Sequence, residues 1–188
     1  MVGGGTVEEQ APERAPEGQR VEEWGAPPLD NPLATLQGYS EHSVDDKGRI
    51  IMPQRFRDLF DRSCVLTQGW GKCLFVFHPT TWQRIQADMA RLPMTRPEAV
   101  VLQRYIIGTA SVVDIDSQGR LAIPAYLREH AQISLPTAET SSMVVIIGAP
   151  YRLEIWSKQI WKEMNSQLED TVLFQAAERL NLTLDLVR

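Results

Sequence analysis

The sequence predicts an α+β protein assembled from two tandem copies of one small unit, packed on each other about a pseudo-twofold axis. Three observations carry this. Residues 44–60, VDDKGRIIMPQRFRDLF, and residues 115–131, IDSQGRLAIPAYLREHA, lie 71 positions apart and share Asp45/Asp116, Gly48/Gly119, Arg49/Arg120, Pro53/Pro124 and Arg57/Arg128. The match resumes between CLFVFHPTTWQRI (73–85) and RLEIWSKQIWKEM (152–164) at an offset of 79, so eight extra residues fall near SLPTAETS, where a loop insertion belongs. Strand and helix signals also recur in the same order in both halves. Two units are too few for a solenoid, which needs about three. Two copies of a unit too small to bury its own core pack on each other instead, as a covalent dimer.

The elements follow in order. Residues 1–34 are rich in Gly, Pro and Glu and nearly free of β-branched residues, with Trp24 as the one hydrophobic anchor. Such a segment cannot bury enough apolar surface to offset its ordering entropy, so a disordered acidic extension is expected. From Leu36, LQGYSEHSV alternates as a half-buried strand, DDKG is turn chemistry, and RIIM is a second strand. Pro53 suits the first turn of a short helix, PQRFRDLF, with Phe56, Leu59 and Phe60 on one face. CVLTQ, the turn GWGK and CLFVFH form a hairpin. PTTWQRIQADMARL is an amphipathic helix with Trp82, Ile85, Met89 and Leu92 at steps of three and four, and PMTRPEA joins it to a helix through VVLQRYIIG. The plan then repeats: ASVVDIDSQGRLAIP as a hairpin, PAYLREHA as a short helix, MVVIIGAPYRLEIWS as a hairpin turning at GAPY, and KQIWKEMNSQLED as a helix. The expected division is an extension at 1–34, a first repeat at 35–92, a linker and connecting helix at 93–108, a second repeat at 109–165, and a C-terminal helix and tail at 166–188.

Length and charge narrow the class. A chain of 188 residues with 43% hydrophobic content can build a real core. The net charge of −5 is local: up to Pro32 there are seven acids and two bases, and the remainder balances at 17 of each. Local charge must therefore decide the partner. Cys64 and Cys73 are nine apart in apolar runs, which suits reduced core residues better than metal ligands. His42, His78 and His130 form no paired motif, and His130 with Glu129 reads as a solvated helix face. No apolar run approaches the roughly 18 residues of a membrane span, and the N-terminus lacks a basic segment followed by an apolar one. A soluble cytoplasmic protein is expected.

Enzyme readings find little support. There is no nucleophile beside a base, no phosphate-cradling Gly loop and no metal cluster in the pattern. Asp45 and Asp116 read as turn acceptors rather than as an acid and base pair. No catalytic residue, metal or cofactor is expected.

Most of the repeated motif has a structural explanation. Gly48 and Gly119 supply positive φ in a tight turn, the prolines start helices, and Arg57 and Arg128 can sit on a helix's outer face. Arg49 and Arg120 each follow a turn at the start of a strand, where a long planar donor projects from the hairpin tip. A β-ribbon fits the major groove of DNA, and Arg can donate to O6 and N7 of guanine, worth roughly 1–3 kcal/mol of discrimination. Lys47 beside it would serve phosphate. Spacing alone does not separate this from a role as structural partners of Asp45 and Asp116.

The stretch GYSEHSVDDKGRIIMPQRFR followed by DIDSQGRLAIPAYLR resembles the MraZ family, over about residues 36–182. The resemblance implies a pseudo-twofold swapped-hairpin AbrB-like (SpoVT-AbrB) β-barrel from two tandem repeats, with flanking helices. It further implies a ring-shaped homo-oligomer and a nucleoid-associated transcriptional regulator. Such a regulator binds double-stranded DNA at short G-containing direct repeats upstream of its own division and cell-wall operon, commonly as a repressor. No membrane or small-molecule substrate is expected. In the family the signature arginines contact DNA, which maps onto Arg49 and Arg120, with Lys47 as a phosphate or base contact. Two features depart from the pattern: Gln118 stands where the first repeat has Lys47, and the acidic extension precedes the usual start. Few bases lie near the hairpin tips (Lys47, Arg49, Arg55, Arg120), so a single charge-balanced chain should bind weakly and a ring would gain by avidity. The competing expectation is an oligomeric interaction scaffold whose Asp–Arg pairs are structural. An antitoxin role is disfavoured by the duplication.

Overall fold

The computed structural model describes residues 32–180. The expected extension, with Trp24, lies outside the described residues as far as position 31, as does the end of the tail from 181 onward. After a short 3-10 turn at Pro32–Thr35, the first half supplies β1 (Gly38–Ser43), β2 (Arg49–Ile51), α1 (Gln54–Phe60), β3 (Ser63–Gln68), β4 (Leu74–Phe77), α2 (Pro79–Arg91) and α3 (Pro97–Ile106). The second half supplies β5 (Ser111–Asp114), β6 (Arg120–Ala122), α4 (Ala125–His130), β7 (Met143–Ala149), β8 (Arg152–Ser157), α5 (Lys158–Ser166) and α6 (Asp170–Arg179).

Local chemistry explains the helix starts. Pro53 and Pro124, at φ −53°, immediately precede α1 and α4, where a missing N–H costs nothing. The Nδ1 atom of His78 accepts from Thr80 N at 3.2 Å to cap α2, and Ser157 Oγ accepts from Ile160 N at 3.3 Å to cap α5.

The strands form an antiparallel six-stranded sheet in the order β1-β7-β8-β4-β3-β5, faced by a separate two-stranded ribbon of β2 and β6. Helices cover both faces, which is why β4 is buried along its whole length. One face packs Leu66, Leu74, Val76, Ile146 and Leu153 against Ile50 and Leu121 of the ribbon, Phe56 and Phe60 of α1, and Leu127 of α4. The other packs Val65, Phe75, Phe77, Val145 and Trp156 against Trp82 of α2 and Ile106 of α3, with Trp161 of α5 at the margin. Successive residues along β4 thus serve alternate cores, as the period of a strand demands.

The duplication is visible in the pairing. β1 pairs with β7 of the other repeat, and β5 pairs with β3. Each repeat therefore gives its first strand to its partner's hairpin. In the ribbon Ile50 sits opposite Leu121, its own counterpart in the repeat. In the sheet Phe75 sits opposite Glu154, again its own counterpart. The pseudo-twofold axis passes through both pairs.

Three expectations are refined. ASVVDIDSQGRLAIP turns as expected at 116–119, but β5 and β6 find their ladder partners in the other repeat. The turn is encoded locally, whereas the choice of strand partner is not. The insertion lies in the connection 131–142, which corresponds to 61–62 in the first half, and the β7–β8 turn gives one residue back relative to β3–β4. The resemblance implies a barrel. What is found is an open six-stranded sheet with β1 and β5 at its edges, and no closed barrel among the described residues.

Cys64 and Cys73 are free and fully buried, as expected of core residues, and burial pushes each thiol up to about 12. His130 is not on a solvated face: it is half-buried, lies 3.1 Å from the Gly69 carbonyl and meets the Tyr105 ring edge-on. Glu129 is exposed.

Candidate functional site

Asp45 organises the first turn. One carboxylate oxygen accepts from Lys47 N at 2.9 Å and Arg49 N at 2.8 Å, and the other from Arg49 Nε at 2.6 Å. The second turn is nearly superposable in its bonding: Asp116 accepts from Gln118 N at 2.9 Å, Arg120 N at 2.9 Å and Arg120 Nε at 2.7 Å. Backbone bonds close both turns, Gly48 N to Asp45 O at 3.0 Å and Gly119 N to Asp116 O at 2.8 Å. Gly48 and Gly119 have φ of +71° and +78°, where a Cβ would be strained.

These bonds set the carboxylate charge. Partial desolvation opposes ionisation of Asp45, but the Arg49 N–H, the Arg49 guanidinium and the Lys47 N–H outweigh it and hold the group below the usual carboxylate range. At Asp116 the Arg120 N–H and guanidinium dominate, with the same outcome.

The turns deliver Arg49 and Arg120 to one surface. In the antiparallel ribbon Arg49 faces Ala122, and Ile51 faces Arg120. Ile50 and Leu121, each 1% exposed, point into the core. Alternation then sends Arg49, Ile51, Arg120 and Ala122 outward together. The two arginine side chains are 29% and 34% exposed. Only Nε of each engages its aspartate, and the Nη nitrogens of both have no hydrogen-bond partner among the described residues. An Arg held by Nε is oriented at its base and still offers its outer edge to a planar acceptor pair.

Lys47 and Gln118 are exposed at equivalent turn positions. Arg55 is not part of this surface: its Nη2 donates to Tyr39 O at 2.9 Å, and its guanidinium stacks on Phe56 at 4.8 Å. Asp46 is exposed beside Lys47, so acids and bases nearly balance on one ribbon.

Arg57 and Arg128 carry a role that the sequence reading missed. Both are half-buried rather than on an outer face. Arg128 Nε donates to Ile123 O at 3.1 Å, and Arg57 Nη2 lies 3.4 Å from the equivalent Met52 O. Their guanidinium groups cover the turn glycine of the opposite repeat, Arg57 over Gly119 and Arg128 over Gly48. A Cβ on Gly119 would come within 2.3 Å of Arg57 Cζ, and one on Gly48 within 2.7 Å of Arg128 Nε. Backbone bonds cross at the same place, Met52 N to Gly119 O at 2.8 Å and Ile123 N to Gly48 O at 3.0 Å. The invariance of this Arg between the copies was the available signal.

Among the described residues no group of three or more His, Cys, Asp or Glu could hold a metal ion, and no helix is long and apolar enough to cross a membrane.

Comparison with known proteins places this arrangement in a group. A family model described as "MraZ protein, putative antitoxin-like" matches twice, over residues 35–105 and 106–184. The chain is 40% identical over 146 residues to a transcriptional regulator MraZ of Thermoanaerobacter sp. (strain X514), covering 78% of this chain and 96% of the relative. It is 39% identical over 132 residues to the transcriptional regulator MraZ of Heliobacterium modesticaldum, covering 70% and 87%. Against the transcriptional regulator MraZ of Desulfitobacterium hafniense (strain Y51) the identity is 36% over 141 residues, covering 75% and 94%.

Proposed function

The chain belongs to the MraZ family, and on that premise we propose that it is a transcriptional regulator, not an enzyme, that reads double-stranded DNA with the β2–β6 ribbon. One observation carries the reading: Arg49 and Arg120 are steered by Asp45 and Asp116 through Nε alone, with their outer guanidinium edges exposed on one ribbon face. A two-stranded ribbon fits the major groove, and the free edge of Arg matches O6 and N7 of guanine. Lys47 supplies a phosphate contact, and Ile51, 47% exposed on the same face, offers an apolar contact of the kind a thymine methyl accepts.

The finer reading follows the resemblance. The chain acts as a repressor of its own division and cell-wall operon in the cytoplasm and nucleoid, bound to short G-containing direct repeats. The exchange of first strands between the repeats supports the AbrB-like swapped-hairpin assignment. A ribbon on which Asp45, Asp46 and Asp116 sit among Lys47, Arg49 and Arg120 releases few counterions. Tight binding therefore requires several copies engaging repeated elements together, which is the physical case for a homo-oligomeric ring.

The competing reading, an interaction scaffold, draws on the Nε–carboxylate pairs themselves. A salt-titrated binding assay on promoter DNA of the chain's own operon separates the two. Arg49→Ala and Arg120→Ala should each weaken binding by about 1–3 kcal/mol with fold and assembly retained. Unchanged binding, or loss of the assembly, would favour the scaffold.

A further inference from the structure

Among the described residues helix α6 has no seat. It is ten residues long and buries none of them. Val172 (48% exposed) and Leu173 (53%) on the helix, with Leu168 (42%) just before it and Leu180 (75%) at its C-terminal cap, form an apolar stripe. A helix this short is marginal in water without a packing partner. Its counterpart in the first repeat, α3, is seated: Ala99 and Ile106 are buried, and Leu102 and Tyr105 pack against the helix-side core. The two repeats thus end differently, one helix docked and one projecting.

Beside α3 the same chain presents a matching groove. Trp70 from the β3–β4 turn, Pro97, Val101, Leu102 and Tyr105 line it, with Glu98. Trp70 is 62% exposed and Val101 63%. The charges of the two surfaces are complementary. Lys72 follows Trp70 in the turn, Arg96 precedes Pro97, and Arg104 lies in the last turn of α3, whereas α6 is capped by Glu169, begins at Asp170 and carries Glu178. Glu98 in the groove has Arg179 on α6 to answer it.

We propose that α6 of one copy docks, stripe inward, in the Trp70–Val101–Tyr105 groove of a second copy of this chain. The two surfaces differ, so the contact is head-to-tail. Repeated around a closing rotation it generates a ring in which every groove is filled and every α6 is seated. The inference rests on the reading of the chain as a homo-oligomer and names the surfaces that make it one.

Leu173→Glu and Val101→Glu test each side. Both residues are exposed, so neither change touches the core. Light scattering should show the wild-type assembly falling to the mass of one chain in both variants. Direct contact is read by mixing a Leu173→Cys chain with a Val101→Cys chain under oxidation. A disulfide-linked two-chain band is expected, and neither native cysteine competes because both are fully buried. An assembly that keeps its mass in both variants and gives no cross-link would overturn the docking while leaving the homo-oligomer intact. A cross-link formed only within one chain carrying both cysteines would also overturn it. A wild-type chain that is monomeric would overturn both.

Discussion

Gly119→Ala offers the sharpest test of how the two repeats hold each other. Gly119 sits at φ +78°, and an added Cβ would approach Arg57 Cζ to 2.3 Å and Arg57 Nε to 2.4 Å. Two costs follow. Placing an L side chain in the left-handed region costs about 1–2 kcal/mol. The steric cost is smaller, because the offending atoms end a flexible side chain whose one hydrogen bond there, to Met52 O, is long at 3.4 Å. Swinging Arg57 aside should cost about 0.5–1 kcal/mol, the scale of coupling between contacting residues. Urea unfolding of the single mutants and the double mutant separates the terms. Gly119→Ala should lose roughly 1.5–3 kcal/mol alone, and the coupling share should vanish in an Arg57→Ala background. Gly48→Ala should couple to Arg128→Ala in the same sense. Gly48→Ala with Arg57→Ala, a pair within one repeat, should be additive. Coupling within the repeat, or none across it, would refute the reciprocal cover of each turn by the opposite repeat.

Further expectations concern charge and access. Lys47→Ala should reduce the slope of log K against log salt by about 1 while lowering affinity on all sequences alike, and Gln118→Ala should leave the slope unchanged; equal effects would remove the asymmetry between the repeats. Burial, and then Arg55, hold His42 below the usual imidazole range, and its buried Nε2 has no hydrogen-bond partner among the described residues. The unfolded chain then binds the proton first, so stability is complete above about pH 6.5 and falls as pH drops through and below it. His42→Leu should flatten that limb in pH-dependent unfolding. Asp45 and Asp116 have the opposite charge and the same slope at lower pH, their contribution being present above the ordinary carboxylate pKa and lost as pH falls through the depressed folded value. Asp45→Asn with Asp116→Asn should remove that acid limb. Both thiols should resist an aromatic disulfide reagent at neutral pH until the protein unfolds, and rapid native labelling would contradict their burial.

The local layer of the fold was legible in the sequence because its signals are local. Pro53 and Pro124 mark helix starts, Gly48 and Gly119 mark turns, and the repeat aligns counterpart strands without any structure. The partner of each strand was not legible. β5 carries the same alternation whether it pairs with β6 or, as it does, with β3, since that choice depends on long-range packing of Ile50, Leu121 and their neighbours. At the site, Asp45 and Asp116 were readable as turn acceptors, and Arg49 and Arg120 as projecting donors. Arg57 and Arg128 were not, because their partners lie across an axis that sequence order does not show. Arg55 looked equivalent to the other bases near the turns, yet its hydrogen bond to Tyr39 O removes it. The insertion could be located, since SLPTAETS lies within the 131–142 connection, but its size was read only as a net figure, because a compensating shortening of the β7–β8 turn hides part of it.

The pair Phe75–Glu154 has a consequence for how such a chain can vary. Two identical, separate subunits related by a twofold axis must place like against like at the axis, so Phe would face Phe or Glu would face Glu. Here Arg152 donates to Glu154 at 2.7 and 3.0 Å and lies over the Phe75 ring at 4.8 Å, while Trp156 Nε1 donates to the same carboxylate at 3.1 Å. Two glutamates meeting there would repel, and two phenylalanines would leave Arg152 without its anion. Joining the copies into one polypeptide frees the axial positions from that constraint. A substitution there is made once rather than twice, and the sheet can carry an unlike pair at its centre that no symmetric assembly of single repeats can encode.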